Sequence, residues 1–169
     1  MNDSSMSKES LHDQFVAREN PHNQPMSKET IRSGNAMMIE TIMQMPVQFY
    51  QDGKAVYRIA EIRGRQSGQI RRTPLAVFQY NGKRYLIAPM RQRDWVYNLI
   101  TAGECTLVTK AEQEQSKATL TLDSEAIAGV RAYMAQLPDW SLAQFPFKAN
   151  ASTEEMQAKS EEFAVFRLS

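Results

Sequence analysis

Arginines, glycines and hydroxyl side chains are concentrated in one short segment, residues 63–74, which reads RGRQSGQIRRTP. Glycine permits tight turns and brings backbone N–H groups close to a ligand. Arginine grips phosphate or carboxylate oxygens with paired N–H groups, and a hydroxyl adds a further donor. The residues with these roles are Gly64, Gly68, Arg65, Arg71, Ser67 and Thr73, followed by Pro74 as a stiff exit. The pattern predicts an anion-binding loop, although it is neither a P-loop nor a dinucleotide fingerprint.

The sequence around this segment is strongly basic. Residues 54–93 contain ten lysines and arginines and one acid, a net charge of +9 (10 − 1), although the whole chain carries only +1. Residues 111–169 carry five basic and nine acidic residues, a net charge of −4 (5 − 9). The excess of basic residues at positions 54–93 favours an anionic partner: a phosphate-bearing ligand, a nucleic acid or the acids of another subunit. The plainer alternative is a solvated turn whose arginines pair with the acids of residues 111–169.

Two residue types that carry much enzyme chemistry are scarce. Cys105 is the only cysteine, which excludes an internal disulfide and a cysteine metal cluster, and we expect it to be a buried, inert thiol. The two histidines, His12 and His22, lie in the polar N-terminal stretch, so we expect no metal site. No residue is identified as catalytic. If the chain is an enzyme, an organic cofactor is expected to supply the reactivity.

Several short strands are expected to position the arginine-rich segment. Lys54–Arg63 and Leu75–Tyr80 flank it, and Asn81-Gly82 joins the second of these runs to Lys83–Ala88. Asn-Gly between two β-rich runs predicts a hairpin, because both turn positions need positive φ. Further strands are expected at residues 105–109, 117–122 and 163–168.

Helices are expected between and around these strands. They span residues 36–47, 94–102, 124–136 and 153–162. Asp94 is expected to cap the second helix and Gly103 to end it, whereas Ser152 and Glu155 fit a capping box for the last one. Five or more antiparallel strands with flanking helices predict a small β-barrel of the α+β class.

The chain is expected to contain one domain and an extension. Residues 1–35 are rich in Asn, Ser, Gln and Glu, and we expect them to be disordered or loosely helical. Residues 36–169 are expected to form the single barrel domain. The first residues lack the basic and apolar blocks of a signal peptide, and no apolar run approaches the ~20 residues of a membrane span. We therefore expect a cytoplasmic protein.

Three motifs together resemble the deazaflavin-dependent nitroreductase family and the wider group of flavin-binding split-barrel proteins. The motifs are Gly64-Arg65-Gln66-Ser67-Gly68 with Arg71-Arg72-Thr73-Pro74-Leu75, Asn81–Pro89, and Asp94–Leu99. A weaker likeness follows at Glu162–Leu168, so the resemblance covers roughly residues 36–168. Two departures are Gln66, where many members have lysine, and the short Met90–Arg93 segment, where many have a longer Ser/Gly-rich loop.

The resemblance implies a fold, a cofactor and a site. The fold is a split β-barrel, usually dimeric, and the cofactor is a deazaflavin coenzyme or FMN. The implied activity is hydride transfer between that cofactor and a small organic acceptor of the nitroaromatic, quinone or enone type. The implied cofactor-binding residues are Arg63, Gly64, Arg65, Gln66, Ser67, Gly68, Arg71, Thr73, Pro74, Ala88, Pro89, Met90, Trp95 and Asn98.

Two other functions remain open at this point. The first is a β-barrel that binds single-stranded nucleic acid, since the basic region interleaves Tyr57, Phe78, Tyr80, Tyr85 and Trp95, whose rings suit base stacking. Against it, the whole chain is nearly neutral and carries no RNA-binding signature. The second is a non-catalytic split-barrel protein that binds the cofactor or dimerises without turning over a substrate.

Overall fold

The computed structural model describes residues 27–169 of the chain. The helices are α1 (Lys28–Gln44), α2 (Asp94–Ala102), α3 (Ser124–Met134), α4 (Asp139–Leu142) and α5 (Thr153–Ala158). The strands are β1 (Lys54–Arg63), β2 (Ile70–Tyr80), β3 (Lys83–Ala88), β4 (Glu104–Val108), β5 (Gln113–Leu120) and β6 (Ala164–Leu168).

The six strands close into a barrel. Their order is β1-β2-β3-β6-β5-β4, and every neighbouring pair is antiparallel. With the helices outside, this confirms the expected α+β class and a split barrel of antiparallel strands with flanking helices. The Asn81-Gly82 hairpin is confirmed as well, because both residues have positive φ, 51° and 74°. No helix within residues 27–169 has the length and apolar character that crossing a bilayer requires.

Strands β2 and β3 are paired over only part of their length. β1 and β2 pair from Lys54↔Gln79 to Arg63↔Ile70, whereas β2 and β3 pair only from Phe78↔Tyr85 to Tyr80↔Lys83. Beyond the hairpin the two strands diverge, and β3 continues along β6 instead. This opening beside residues 73–77 of β2 is here called the β2–β3 gap.

Strand β2 begins earlier than the sequence pattern predicts. It starts at Ile70 rather than Leu75, so Arg71, Thr73 and Pro74 lie in the strand and not in the loop. The reason is the ladder with β1, which continues without interruption through Pro74↔Ile59 to Ile70. Pro74 is tolerated because the other side of β2 faces the β2–β3 gap, where no strand requires its missing N–H.

Helix α1 also begins earlier than expected. It starts at Lys28 rather than at residue 36, and the Ser27 side chain caps it by accepting a hydrogen bond from the Thr30 N–H at 3.1 Å. It ends at Gln44, ahead of Pro46. The end of the segment expected to be disordered or loosely helical is therefore helical from residue 28. Residues 1–26 lie outside the described part of the chain, and the boundary at residue 36 stays a prediction.

Smaller shifts affect other elements. Strand β5 begins at Gln113 rather than residue 117. Its inward side chains at that end, Glu114 and Ser116, are polar, so the apolar pattern of a strand is absent there. Helix α5 starts after the Ser152 cap as expected, but it ends at Ala158. At α2 the N-cap position is Arg93 and Asp94 is the first helical residue, while Gly103 ends the helix in the left-handed conformation at φ 70°.

Three apolar clusters hold these elements together. The lumen of the barrel contains Val56, Val77, Leu86, Leu107 and Phe166 among others. A second cluster packs α3 and α5 on the outside of β3 and β6, and a third packs Met38 and Ile42 of α1 on Tyr57, Ile59 and Val108. The first two clusters fix the strands on either side of the β2–β3 gap.

Candidate functional site

A cavity of about 240 Å³ fills the β2–β3 gap. One wall is the barrel itself, and six of the residues implied by the family resemblance line it: Thr73, Pro74, Ala88, Pro89, Met90 and Trp95. Leu75, Ala76, Leu86 and Ile87 complete this side. The barrel side of the cavity is well packed, because Ala88 is 2% exposed and the Trp95 ring packs on Phe166 at 6.1 Å between centroids.

The opposite wall consists of helices that no sequence motif indicates. Helix α1 contributes Thr30, Ile31, Gly34 and Asn35, while Tyr133 of α3 and Ser141 of α4 close the side. These residues come from three separate parts of the chain, so no local spacing reveals them. The cavity is thus an apolar slot with hydroxyl and amide groups on its helical side, and its volume lies just below the roughly 300–1,000 Å³ of typical ligand pockets.

The edge of β2 adds main-chain polarity to the cavity. Because β3 turns away after Tyr85, the peptide groups on the gap side of residues 73–77 have no strand partner. Unpaired N–H and C=O groups at a strand edge are ready hydrogen-bonding partners for a planar ligand. Arg93 is the one charged residue among those that line the cavity in the described chain.

The predicted anion-binding loop is the compact turn of residues 64–69 between β1 and β2. The Gly64 N–H donates to the Gln69 carbonyl at 2.8 Å, and the Gly68 N–H donates to the Gly64 carbonyl at 2.9 Å. A Cβ at Gly64 would lie 2.9 Å from Ser67 Oγ and 3.2 Å from the Gln69 oxygen, so a larger residue there would require both groups to shift. Gly68 has φ 70°, which favours glycine for a conformational reason.

Arg65 is held by helix α2. Its backbone N–H and its guanidinium both donate to Asn98 Oδ1, at 3.1 and 2.8 Å. The guanidinium also donates to the Asp94 carbonyl at 3.3 Å, pairs with the Asp94 carboxylate at 3.4 Å and lies over the Tyr97 ring. Asn98 is 7% exposed and does not line the cavity. In this structure Asn98 therefore fixes the loop to the helix.

The remaining residues of the motif differ in whether their side chains already have hydrogen-bond partners. Arg63 donates to the Gly68 carbonyl at 2.8 Å, and Ser67 Oγ accepts from the Gln69 N–H at 3.2 Å. Gln66 is exposed. The Arg71 side chain is exposed and makes no hydrogen bond or ion pair with the described residues. Of the arginines in the motif, Arg71 thus has its guanidinium available for an added anion.

The implied site residues fall into two groups in space. Thr73, Pro74, Ala88, Pro89, Met90 and Trp95 meet in the cavity. Eight others do not line it: Arg63, Gly64, Arg65, Gln66, Ser67, Gly68, Arg71 and Asn98. Strand β2 connects the groups, since Arg71 and Thr73 are two residues apart and therefore point to the same side of the strand.

The basic excess of residues 54–93 is partly neutralised within the described chain. Lys83 pairs with Glu125, and Arg84 pairs with Glu114 at 2.6 Å. These pairs with the acidic half belong to the β3 strand and not to the loop. Lys83 and Arg84 lie outside the turn to which the plainer alternative applies, and the arginines of the turn make no pair with the acids of residues 111–169 in the described chain.

A buried polar cluster seals the barrel next to these pairs. Arg58 is 3% exposed and donates to the Tyr57 and Gln48 carbonyls at 2.9 and 2.6 Å. The Tyr50 ring lies between Arg58 and Arg84, whose guanidinium carbons are 4.6 and 4.7 Å from its centroid. The hydrogen bonds from Arg84 lower the pKa of Glu114, because they stabilise its charged form. Arg58 and Arg84 are thus structural cations.

The expected properties of Cys105 agree with its surroundings. The thiol is 4% exposed, and burial raises its pKa to about 11.

Two of the aromatic rings proposed to stack on nucleic-acid bases, Phe78 and Tyr85, are 1% exposed, and Tyr57 is 5% exposed. These rings belong to the core and cannot stack on bases. Residues 27–169 also contain no cluster of His, Cys, Asp and Glu able to hold a metal ion.

No protein-family model matches this chain, and no curated protein is significantly similar to it. Several solved structures are similar at low identity. One is described as an F420-H2 dependent reductase (FDR-A); it is 16% identical with a TM-score of 0.45, and the match covers 72% of this chain and 99% of that one.

Two further matches have similar values. A NimC/NimA family protein from Clostridium acetobutylicum is 12% identical with a TM-score of 0.43, covering 94% of this chain and 85% of that one. General Stress Protein 26 from Bacillus anthracis is 10% identical with a TM-score of 0.42, covering 79% and 86%. Likenesses this remote assign neither an activity nor a cofactor to this chain.

Proposed function

We propose that this protein is an oxidoreductase that binds FMN or a deazaflavin coenzyme in the β2–β3 gap and transfers hydride between that cofactor and a small organic acceptor. The observation that carries the proposal is the cavity. Six residues chosen from motifs, scattered between positions 73 and 95, line one wall of a single apolar slot. If residues 63–74 formed only a solvated structural turn, there would be no reason for these six residues to line the same cavity.

The slot suits the planar ring of such a cofactor. Pro74, Ala88 and Pro89 present flat or small apolar surfaces, and Trp95 offers an aromatic face that is held by Phe166. The unpaired peptide groups of the β2 edge suit the polar rim of the ring. The bound cofactor would supply the hydride chemistry.

The anionic tail of the cofactor requires a cation near the slot. Arg71 lies on the same strand as the lining residue Thr73, and its guanidinium has no partner in the described chain, while Arg93 lines the slot itself. We propose that Arg71 binds the phosphate and that the turn at residues 64–69, fixed by Asn98, sets its position. Arg65 is the weaker candidate because Asn98 and Asp94 already occupy its donors.

The chain's own residues orient the reactants and exclude water. The barrel wall would hold the ring of a bound cofactor, and the residues of the helical wall would face the acceptor. Fixing two reactants at contact distance provides a large part of the rate enhancement when the cofactor carries the reactivity. Tyr133 and Ser141 bring hydroxyl groups to the acceptor side of the slot.

The experiment that tests this function is a fluorescence titration with FMN and with a deazaflavin coenzyme, on the wild type and two single-charge variants. Arg71→Ala should weaken binding about tenfold or more, the effect of losing a charge-assisted hydrogen bond of about 1.5–3 kcal/mol. Lys54→Ala is the matched control: Lys54 is also exposed but lies opposite Gln79 in the strand register, at the other end of β1.

The two variants separate a specific phosphate contact from general attraction. Equal weakening by both substitutions would indicate long-range attraction alone and would remove Arg71 from the site. Failure of either cofactor to bind the wild type below roughly 100 μM, about −5.5 kcal/mol, would overturn the function itself.

A further inference from the structure

We propose that the first half of α1, residues 28–36, is a movable wall of the cavity that opens to admit a ligand and closes against it. The inference rests on the proposed function for the identity of the ligand. No sequence motif indicates this role for α1.

The first half of α1 covers the cavity on the side away from the barrel. Thr30, Ile31, Gly34 and Asn35 all line it. A ligand that touches Thr73 or Trp95 on the barrel wall faces these residues across the slot. Access to the slot from this side therefore depends on where this helix segment lies.

The contacts that bury α1 belong to its second half. Its two buried residues are Met38 and Ile42, at 1% and 2% exposure, and they pack on Tyr57, Ile59 and Val108. From Lys28 to Met37 every residue is exposed or half-buried. Burying a large apolar side chain contributes roughly 1.5–3 kcal/mol, so the second half can stay docked while the first half moves.

The sequence makes the junction between the halves easy to unwind. Ser33, Gly34 and Asn35 are three poor helix formers in succession, and glycine costs about 1 kcal/mol relative to alanine in a helix interior. They lie at the cavity, just ahead of the Met38 anchor. The Ser27 cap at the far end is exposed, so water can replace the hydrogen bond that it accepts from the Thr30 N–H.

Hydrogen exchange measured by mass spectrometry tests this directly. Amides of residues 32–36, which have helical partners and are not simple end groups, should exchange faster than those of residues 40–44 in the free protein. Saturating FMN or deazaflavin coenzyme should slow exchange at residues 32–36 about tenfold or more, with little change at residues 40–44.

Two matched pairs of variants separate wall movement from general helix stability. Ser33 and Glu40 are both exposed, and neither lines the cavity. The Ser33→Gly protein should exchange residues 32–36 and release FMN about fivefold faster than the Ser33→Ala protein, the ratio that the alanine–glycine difference in helix propensity gives. Glu40→Gly and Glu40→Ala make the same change beyond the anchor and should release FMN at rates within about twofold of each other.

The outcomes decide the wall and the function separately. If a cofactor binds but leaves exchange at residues 32–36 unchanged, the movable wall is overturned and the function stands. If neither cofactor binds, the proposed function fails, and hydrogen exchange in the free protein and its Ser33 variants still tests the movable wall. The movable wall is overturned if residues 32–36 and 40–44 exchange equally fast, or if the two Ser33 variants do not differ. It is supported if residues 32–36 exchange faster than residues 40–44 and the Ser33 variants differ about fivefold.

Discussion

Asp123 combines two interactions that the sequence shows only in part. Its carboxylate accepts from the Ala126 N–H at 2.9 Å as the cap of α3, and it forms a bidentate pair with Arg167 at 2.7 and 2.9 Å. The hydrogen bonds from Arg167 and then from Ala126 lower the pKa of Asp123 to about 2. Position 123 thus links the start of α3 to strand β6.

The pH dependence of stability should report this pair. Because the folded pKa lies below the usual value of about 3.9, the contribution is present above about pH 4 and is lost as the pH falls towards 2. Asp123→Asn keeps a good cap but removes the charge. We expect the wild type to exceed this variant in unfolding free energy by up to about 1 kcal/mol at pH 7, since the pair is exposed.

Urea denaturation at several pH values measures this difference. It should shrink as the pH is lowered from about 4 towards 2. A difference that stays constant over this range would show that the carboxylate charge plays no part.

At the level of the elements, one carboxamide accepts two of the hydrogen bonds that link the β1–β2 turn to α2. Asn98 Oδ1 accepts two hydrogen bonds from Arg65. Asn98→Leu keeps the approximate size but removes the acceptor of both hydrogen bonds, including the half-buried bond from the Arg65 N–H. We expect it to lower the free energy of unfolding by about 1–3 kcal/mol in urea denaturation.

Asn98→Asp is the matched control for this substitution. It keeps an acceptor at the same place and should retain most of the stability, because its charge also favours Arg65. If the leucine variant is as stable as the wild type, Asn98 does not fix the turn.

Local signals predict the elements well where the chain carries them. Asn81-Gly82, Gly103 and Ser152 each mark a turn or a helix end where the structure has one. The start of β2 is missed because Arg71 to Pro74 carry no strand pattern, and pairing with β1 extends the strand through them. Tertiary pairing here overrides local propensity.

The site is predictable only on its barrel side. Thr73, Pro74 and Ala88–Met90 belong to short motifs, and they line the cavity together. The partner of Arg65 lies 33 residues away, and the helical wall is drawn from α1, α3 and α4. Such contacts depend on how whole elements pack, which spacing along one sequence does not show.

At the scale of the whole molecule, we propose a homodimer, as the family resemblance implies. Tyr97 and Ile100 on the outer face of α2 are each 37% exposed, and Ile70 at the start of β2 is 51% exposed. Light scattering on a sizing column should give about twice the chain mass of 19.3 kDa. A mass that stays at one chain at micromolar concentration would contradict the dimer.

The central claim is that the β2–β3 gap holds the ring of the cofactor, and blocking the gap tests it most directly. Thr73→Phe places a large side chain in the slot, whereas Thr106→Phe makes the same change on β4, away from the slot. Titration with FMN and a deazaflavin coenzyme should show binding to the wild type and the Thr106 variant. The Thr73 variant should bind at least about 100-fold more weakly, a loss of about 2.7 kcal/mol. Undiminished binding by a folded Thr73 variant, or no binding by the wild type, would contradict the account.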